Sequence, residues 1–139
     1  MNKDLKMILF GLILWAVPFF SGFPFVDASG NFIVDEISFK TIMILVGGFT
    51  GVALAVAYFK NIQTDYVKDG ILLGVIWLAI SLSFDLVMVG VGFFPMTVTE
   101  YFTDIGLRYL IMPIYTVGMG ICVDAERQLF RIKHNFEQF

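Results

Sequence analysis

The sequence predicts an all-α integral membrane protein built from four transmembrane helices. Of its 139 residues, 58% are hydrophobic and 15% are charged, whereas soluble domains carry about 25% charged residues. Four apolar stretches are each long enough to cross a bilayer, which takes ~20 residues. The predicted spans are residues 7–26, 38–59, 70–94 and 105–123, within a single domain that covers residues 1–139.

Charge and cysteine content exclude several classes of protein. The net charge of -3 offers no basic surface for nucleic acid, so we expect no nucleic-acid partner. The single cysteine, Cys122, cannot form an internal disulfide or a cysteine-based metal cluster. The sequence contains no histidine cluster, activated nucleophile pattern or phosphate-binding loop. We therefore expect no catalytic activity, no cofactor and no bound metal.

The first span follows a short lysine-bearing segment and has a face suited to helix packing. Gly11, Trp15, Pro18 and Gly22 share that face, and Pro18 removes a backbone hydrogen bond and should kink the helix. A cleaved signal peptide is the alternative. The apolar run is too long for one and no A-x-A cleavage site follows, so a retained anchor is expected.

A turn is predicted between the first two spans. Residues 25–34 read FVDASGNFIV, with apolar residues on both sides of Asp27-Ala-Ser-Gly-Asn31. Gly30 and Asn31 supply the positive φ of a tight turn, which predicts a short extracytoplasmic β-hairpin. A calcium loop is the alternative, but the ligand spacing of an EF-hand is absent.

Glycines mark the faces on which the second and third spans should pack. Gly47 and Gly51 form a GxxxG pattern in the second span, and Gly70, Gly74 and Gly92 lie on one face of the third. Small residues let helix backbones approach closely in lipid. The pattern does not choose between packing within the bundle and packing between protomers.

Asp85 is the only ionisable group well inside any of the four apolar segments, and it shares the glycine face of the third span with Ser81. A charge facing the acyl chains costs ~3 kcal/mol or more, so the carboxylate should point into the protein. A proton site, a cation site or a substrate contact is the functional interpretation. A protonated or paired aspartate that only locks the bundle is the structural one.

Two cations enter the predicted membrane region from the outer side, and either could pair with Asp85. Arg108 is favoured over Lys40 because its depth differs from that of Asp85 by ~9 Å, with Asp85 itself ~14 Å below the end of its span. Arg108 could instead reach outward beside Asp104, while Glu36 and Lys40 form a similar pair four residues apart. The predicted intramembrane polar site comprises Asp85, Ser81, Arg108, Lys40 and Tyr115.

The last span and the tail complete the predicted architecture. Tyr101 and Phe102 suit an interfacial belt in the second outer loop, and Pro113 should interrupt the fourth span. Residues 124–139 form an amphipathic helix that either lies on the membrane or extends the fourth span toward a partner. Its apolar face comprises Ala125, Leu129, Ile132, Phe136 and Phe139.

Basic residues set the expected orientation. The two termini and the central link hold most of the cations, namely Lys3, Lys6, Lys60, Lys68, Arg127, Arg131 and Lys133. The positive-inside rule therefore predicts a multi-pass protein of the cell membrane with both termini in the cytoplasm.

Three classes of function remain open from the sequence, and a membrane enzyme is the least favoured of them. The first is an oligomeric transporter or a protein for ion or proton permeation that uses Asp85. The alternative is an accessory or assembly subunit that packs against a larger membrane protein. The expected partners are the lipid bilayer and either further copies of the chain or another membrane protein.

Overall fold

The structure is a computed structural model that describes residues 2–62, 65–92 and 96–138. Four of its helices are long and apolar enough to cross a membrane, which confirms the predicted helical class. The helices within the described ranges are α1 (Lys3–Ser21), α2 (Glu36–Lys60), α3 (Tyr66–Gly90), a short α4 (Val98–Asp104) and α5 (Ile111–Glu137).

Polar caps explain why helices begin outside the apolar windows. Asp35 accepts a hydrogen bond from the backbone N–H of Ser38, and Asp65 accepts one from that of Lys68. Each carboxylate satisfies a backbone donor that has no partner within the helix. The capped first turns are polar, so α2 and α3 start two and four residues before the predicted spans at 38 and 70.

The four long helices form a ring in which α1 contacts α3, α3 contacts α5, α5 contacts α2, and α2 contacts α1. We call one end of the bundle the Asp69 end; there, Lys3 of α1 pairs with Asp69 of α3. We call the opposite end the Asp85 end; there, Trp15 of α1 contacts Asp85 of α3, and α4 also packs against α3.

Small residues bring α3 and α5 into close contact. A Cβ atom added to Gly70 would lie 2.6 Å from the carbonyl oxygen of Thr116, and one added to Gly74 would lie 2.5 Å from Cα of Pro113. The backbone of α5 therefore occupies the space that a side chain on α3 would need. On α2, Gly51 lies against the Tyr115 hydroxyl, whereas an atom added to Gly47 would make only an ordinary contact with Pro18.

Gly92 has a different role from the predicted one. It follows the end of α3 with φ of 79°, and a Cβ atom added there would meet no atom within 4 Å. A glycine with positive φ commonly terminates a helix. Gly92 thus ends α3, and it packs against no neighbour among residues 2–62, 65–92 and 96–138.

The first outer loop contains the predicted turn without strands. Gly30 has φ of 83°, and the backbone N–H of Asp27 donates to the carbonyl oxygen of Asn31 at 2.8 Å. Within the described residues, the pairing is limited to one isolated bridge between Val26 and Phe32. Asn31 does not have positive φ.

The C-terminal third differs from the prediction in two respects. The fourth span was expected from residue 105, but a 3-10 turn at Gly106–Leu110 precedes α5. Pro113 lies in the first turn of α5, where a missing backbone N–H costs nothing, and therefore does not interrupt the helix. α5 then continues without a break across residues 123–124, so the predicted tail extends the fourth helix.

A few sequence-based predictions fall outside the described residues. These are residues 93–94 at the end of the third predicted span, Pro95 in the second outer loop, residues 63–64 of the central link, and Phe139 on the apolar face of the tail.

Candidate functional site around Asp85

Asp85 lies near the end of α3 and is enclosed by other elements. It is 4% exposed and precedes the last residue of the helix, Gly90, by five positions. At the rise of an α-helix this places Asp85 ~8 Å from that end. The depth of ~14 Å expected from the sequence is too large because α3 ends before the predicted span does.

The carboxylate of Asp85 accepts three hydrogen bonds from side chains within the described ranges. The indole Nε1–H of Trp15 donates to Oδ1 at 2.7 Å. The hydroxyls of Tyr101 and Tyr109 both donate to Oδ2, at 2.8 Å and 2.5 Å. The donors come from α1, from α4 and from the 3-10 turn before α5. One side chain on α3 therefore ties three other elements together.

Each donor is held in place by its own surroundings. Trp15 stacks between Phe19 and Phe84, with ring centroids 4.8 Å away on each side. Tyr101 is fully buried on α4, a helix that begins with a capping box. In that box the Thr97 hydroxyl accepts from the backbone N–H of Glu100, and the Glu100 carboxylate accepts from that of Thr97. A capping box satisfies two backbone donors at once, so it favours this short helix.

The Asp85 carboxylate has no cation beside it among the described residues. Asp85 takes part in no ion pair among residues 2–62, 65–92 and 96–138. An ionised carboxylate has acceptor sites only, which suits a group surrounded by donors. Burial, then the charge of Asp85 and the hydrogen bond to it, raises the pKa of the Tyr101 hydroxyl. Tyr101 therefore keeps its proton and remains a donor at neutral pH.

Ser81 lies one helical turn deeper than Asp85 on the same face of α3. Its hydroxyl is buried and has no hydrogen-bond partner in the part of the chain that the structure describes. A buried hydroxyl without a partner costs free energy, about 1–3 kcal/mol. Ser81 and Asp85 are thus two buried polar groups one helical turn apart on α3. Together they can accept a proton or a water molecule.

The other predicted members of the site lie elsewhere. The Arg108 side chain is exposed, and no ion pair joins it to Asp85 among the described residues. Lys40 instead bridges Glu36 at 2.7 Å and Asp104 at 3.4 Å. Asp104 faces Lys40 and not Arg108. α4 ends at Asp104, so Asp104 and Arg108 do not lie one turn apart on a continuous helix. Tyr115 packs its hydroxyl against Gly51.

Sequence reasoning missed all three of the described donors to Asp85. Tyr101 was assigned to an interfacial belt, yet it is buried against the carboxylate. The pattern T-x-x-E at Thr97–Glu100 was the available signal, because it is typical of a helix start and would have placed Tyr101 on a helix. The sequence predicts a packing face on the first span that includes Trp15. In the structure, Trp15 of α1 contacts α3.

A second buried carboxylate was also missed. Asp69 was assigned to a polar link, but it lies in the first turn of α3 and is 1% exposed. Lys3 donates to Oδ1 at 3.0 Å, and the hydroxyl of Tyr58 donates to Oδ2 at 3.3 Å. Asp69 thus has a cation beside it, unlike Asp85. The two carboxylates are sixteen residues apart on α3, or ~24 Å.

Among the described residues, no group of three or more His, Cys, Asp or Glu side chains is arranged to hold a metal ion. The geometry around Asp85 is that of a single carboxylate with phenol, indole and hydroxyl neighbours. Such a site can exchange a proton, or bind a small cation through its oxygen atoms. No family model, curated protein or solved structure matches this chain.

Proposed function

We propose that this chain is a multi-pass protein of the cell membrane that works as an oligomer to pass protons or small cations, with Asp85 as the group that takes up and releases the ion. The membrane location is supported by the four long apolar helices. The orientation is supported by the distribution of basic residues. The two termini and the link between α2 and α3 lie at the Asp69 end and hold seven of the nine Lys and Arg residues. Both termini would then be cytoplasmic.

The observation that carries this proposal is a buried carboxylate held by neutral donors. The three donors to Asp85 in the described chain stabilise its charged form without cancelling its charge. Within a bilayer, such a group is more costly than one paired with a cation, as Asp69 is with Lys3. Uptake of a proton or a small cation removes that cost.

The elements around Asp85 have distinct parts in the proposed function. α4 covers the carboxylate at its end of the bundle through Tyr101, so ion access from that side requires α4 to move. Ser81 is the next buried polar residue of α3 toward the opposite end. Four helices alone rarely enclose an aqueous path, so a second copy of the chain completes it.

Flux through liposomes tests the proposal. The full chain is reconstituted into liposomes that contain a dye for the ion under test, and proton, Na⁺ and K⁺ gradients are applied in turn. One of these ions should cross faster than through empty liposomes, and Asp85→Asn should reduce the rate to that of empty liposomes. Asp69→Asn is the matched control, because it removes the other buried carboxylate of the same helix; its flux should persist.

Two results would contradict the proposed function. One is a wild-type rate equal to that of empty liposomes for all three ions. The other is equal loss of flux in Asp85→Asn and Asp69→Asn, which would reflect general damage to the bundle and not a role of Asp85.

An accessory subunit is the second candidate, supported by the exposed end of α5. Leu129 is 68% exposed and Phe136 is 76% exposed, and Ile132 lies on the same apolar face. Such a face is typical of a helix that binds a partner. Absence of flux, combined with a membrane protein that co-purifies with the wild type but not with Leu129→Ser/Phe136→Ser, would favour this candidate. Neither function involves catalysis or a cofactor.

A further inference from the structure

A groove of about 670 Å³ lies between α2 and α5 toward the Asp69 end of the bundle, away from Asp85. Val56, Phe59 and Lys60 form its α2 wall. The α5 wall runs from Met119 to Arg131, twelve residues further along the helix, or ~18 Å. The groove is partly open, and its lining along α5 is long enough for an elongated molecule.

The chemistry of the groove changes along its length. The part nearer the middle of the bundle is apolar, with Val56, Met119 and Val123. The part at the end of the bundle is charged and contains Lys60, Arg127, Arg131 and the acidic Glu126. This change from apolar to cationic over the length of one groove matches a molecule with an apolar tail and an anionic head.

The cations of the groove are available to a ligand. Lys60, Arg127 and Arg131 take part in no ion pair among residues 2–62, 65–92 and 96–138. Against the single acid Glu126 they leave two excess positive charges. The guanidinium of Arg127 lies 5.1 Å from the ring centroid of Tyr66, the first residue of α3. That contact holds Arg127 at the level where the helix ends and headgroups would lie.

We propose that this groove binds an anionic glycerophospholipid from the leaflet at the Asp69 end. The acyl chains lie along Val56 and Met119, and the phosphate lies among Lys60, Arg127 and Arg131. A guanidinium binds phosphate through parallel hydrogen bonds, which makes arginine well suited to this role. A zwitterionic lipid leaves the excess positive charge uncompensated, so the groove selects for a net negative headgroup.

Lipid binding to the full chain, measured by native mass spectrometry, tests the proposal. Phosphatidylglycerol and phosphatidylcholine with identical acyl chains are compared. We expect tighter binding of phosphatidylglycerol and about a fivefold loss for each cation removed in Arg127→Gln and Arg131→Gln. Lys133→Gln is the matched control, because it removes a cation of α5 that does not line the groove; it should bind as the wild type does.

Cys122 provides a second measurement that needs no substitution. It is the only cysteine of the chain, it is exposed, and it lines the groove. Phosphatidylglycerol should slow the reaction of Cys122 with N-ethylmaleimide in the wild-type protein, whereas phosphatidylcholine and inorganic phosphate at the same concentration should not.

Three outcomes would overturn the proposal. The first is equal affinity for the two lipids. The second is a loss in Lys133→Gln as large as that in Arg127→Gln, which would indicate a general effect of charge. The third is protection of Cys122 by inorganic phosphate as strong as by phosphatidylglycerol, because the acyl chains would then have no role.

Discussion

Asp85 uses its two carboxylate oxygens differently. Oδ1 accepts from an indole, which can only donate, and Oδ2 accepts from two hydroxyls, which can turn to accept. In Asp85→Asn, the amide oxygen should therefore face Trp15 and the NH₂ group should face Tyr101 and Tyr109. The tyrosines must then reverse their hydrogen bonds, so the substitution keeps the shape of the site and loses its charge-assisted bonds.

A double-mutant cycle measures how strongly these residues are coupled. Tyr109→Phe should lower the free energy of unfolding by about 1.5–3 kcal/mol, since it removes a bond to a charged group. Combined with Asp85→Asn, it should show a coupling energy of about 0.5–3 kcal/mol. Both values would be measured by unfolding the protein in mixed detergent micelles.

The matched control for this cycle is Tyr58→Phe, which removes a tyrosine hydroxyl bound to Asp69 at the opposite end of α3. Because the two sites lie ~24 Å apart, its effect should add to that of Asp85→Asn within about 0.5 kcal/mol. Additivity of Tyr109→Phe with Asp85→Asn would show that the bond between Tyr109 and Asp85 contributes no stability.

At this scale, the sequence predicts which residue is unusual but not which residues it contacts. Asp85 stands out because an ionisable group inside an apolar segment is costly wherever the helix lies. Its donors lie 70, 16 and 24 residues away in the chain. A helical wheel gives the face on which a residue lies, but the partner on another element depends on the packing of the whole bundle.

Among the elements, the pair α3 and α5 has the least tolerance for added volume. Gly74→Ala places a methyl group 2.5 Å from Cα of Pro113, and relieving this contact should cost about 1–3 kcal/mol of stability. Gly48→Ala is the matched control, because a Cβ atom there meets nothing within 4 Å. It should be neutral or stabilise the protein by up to about 1 kcal/mol through helix propensity.

Thermal unfolding in detergent, followed by circular dichroism, distinguishes the two glycine variants. If Gly48→Ala destabilised the protein as much as Gly74→Ala does, both faces would be packed, and Gly48 would then lie against another copy of the chain. Equal stability of Gly74→Ala and the wild type would contradict the close approach of α5 to α3.

The existence of the long helices was predictable because their apolar runs are long, but their ends were not. Capped polar first turns lengthen α2 and α3 beyond the apolar windows. In α5, Pro113 was interpreted as a break, although proline in a first turn favours a helix start. The sequence becomes polar after Val123, but the backbone remains helical, and α5 continues to Glu137.

For the whole molecule, the uneven distribution of basic residues gives a testable orientation. In a Cys122→Ala background, Ser29→Cys and Asn135→Cys report the two ends of the bundle, because both positions are exposed. A membrane-impermeant maleimide applied to intact cells should label Ser29→Cys only. Both variants should react after permeabilisation. Labelling of Asn135→Cys in intact cells would contradict the proposed orientation.

The contact between Trp15 and Asp85 also has an optical consequence. The chain contains two tryptophans. The other, Trp77, donates its indole N–H to the carbonyl oxygen of Met7 at 3.0 Å and not to a carboxylate. A charge at the indole nitrogen alters the energy of the excited state of that ring, so we expect the fluorescence of Trp15 to change when Asp85 gains or loses a proton, and that of Trp77 to change less. Subtracting the spectrum of Trp15→Phe isolates the signal of Trp15. The protein thus carries an intrinsic indicator of whether Asp85 holds a proton, without any added label.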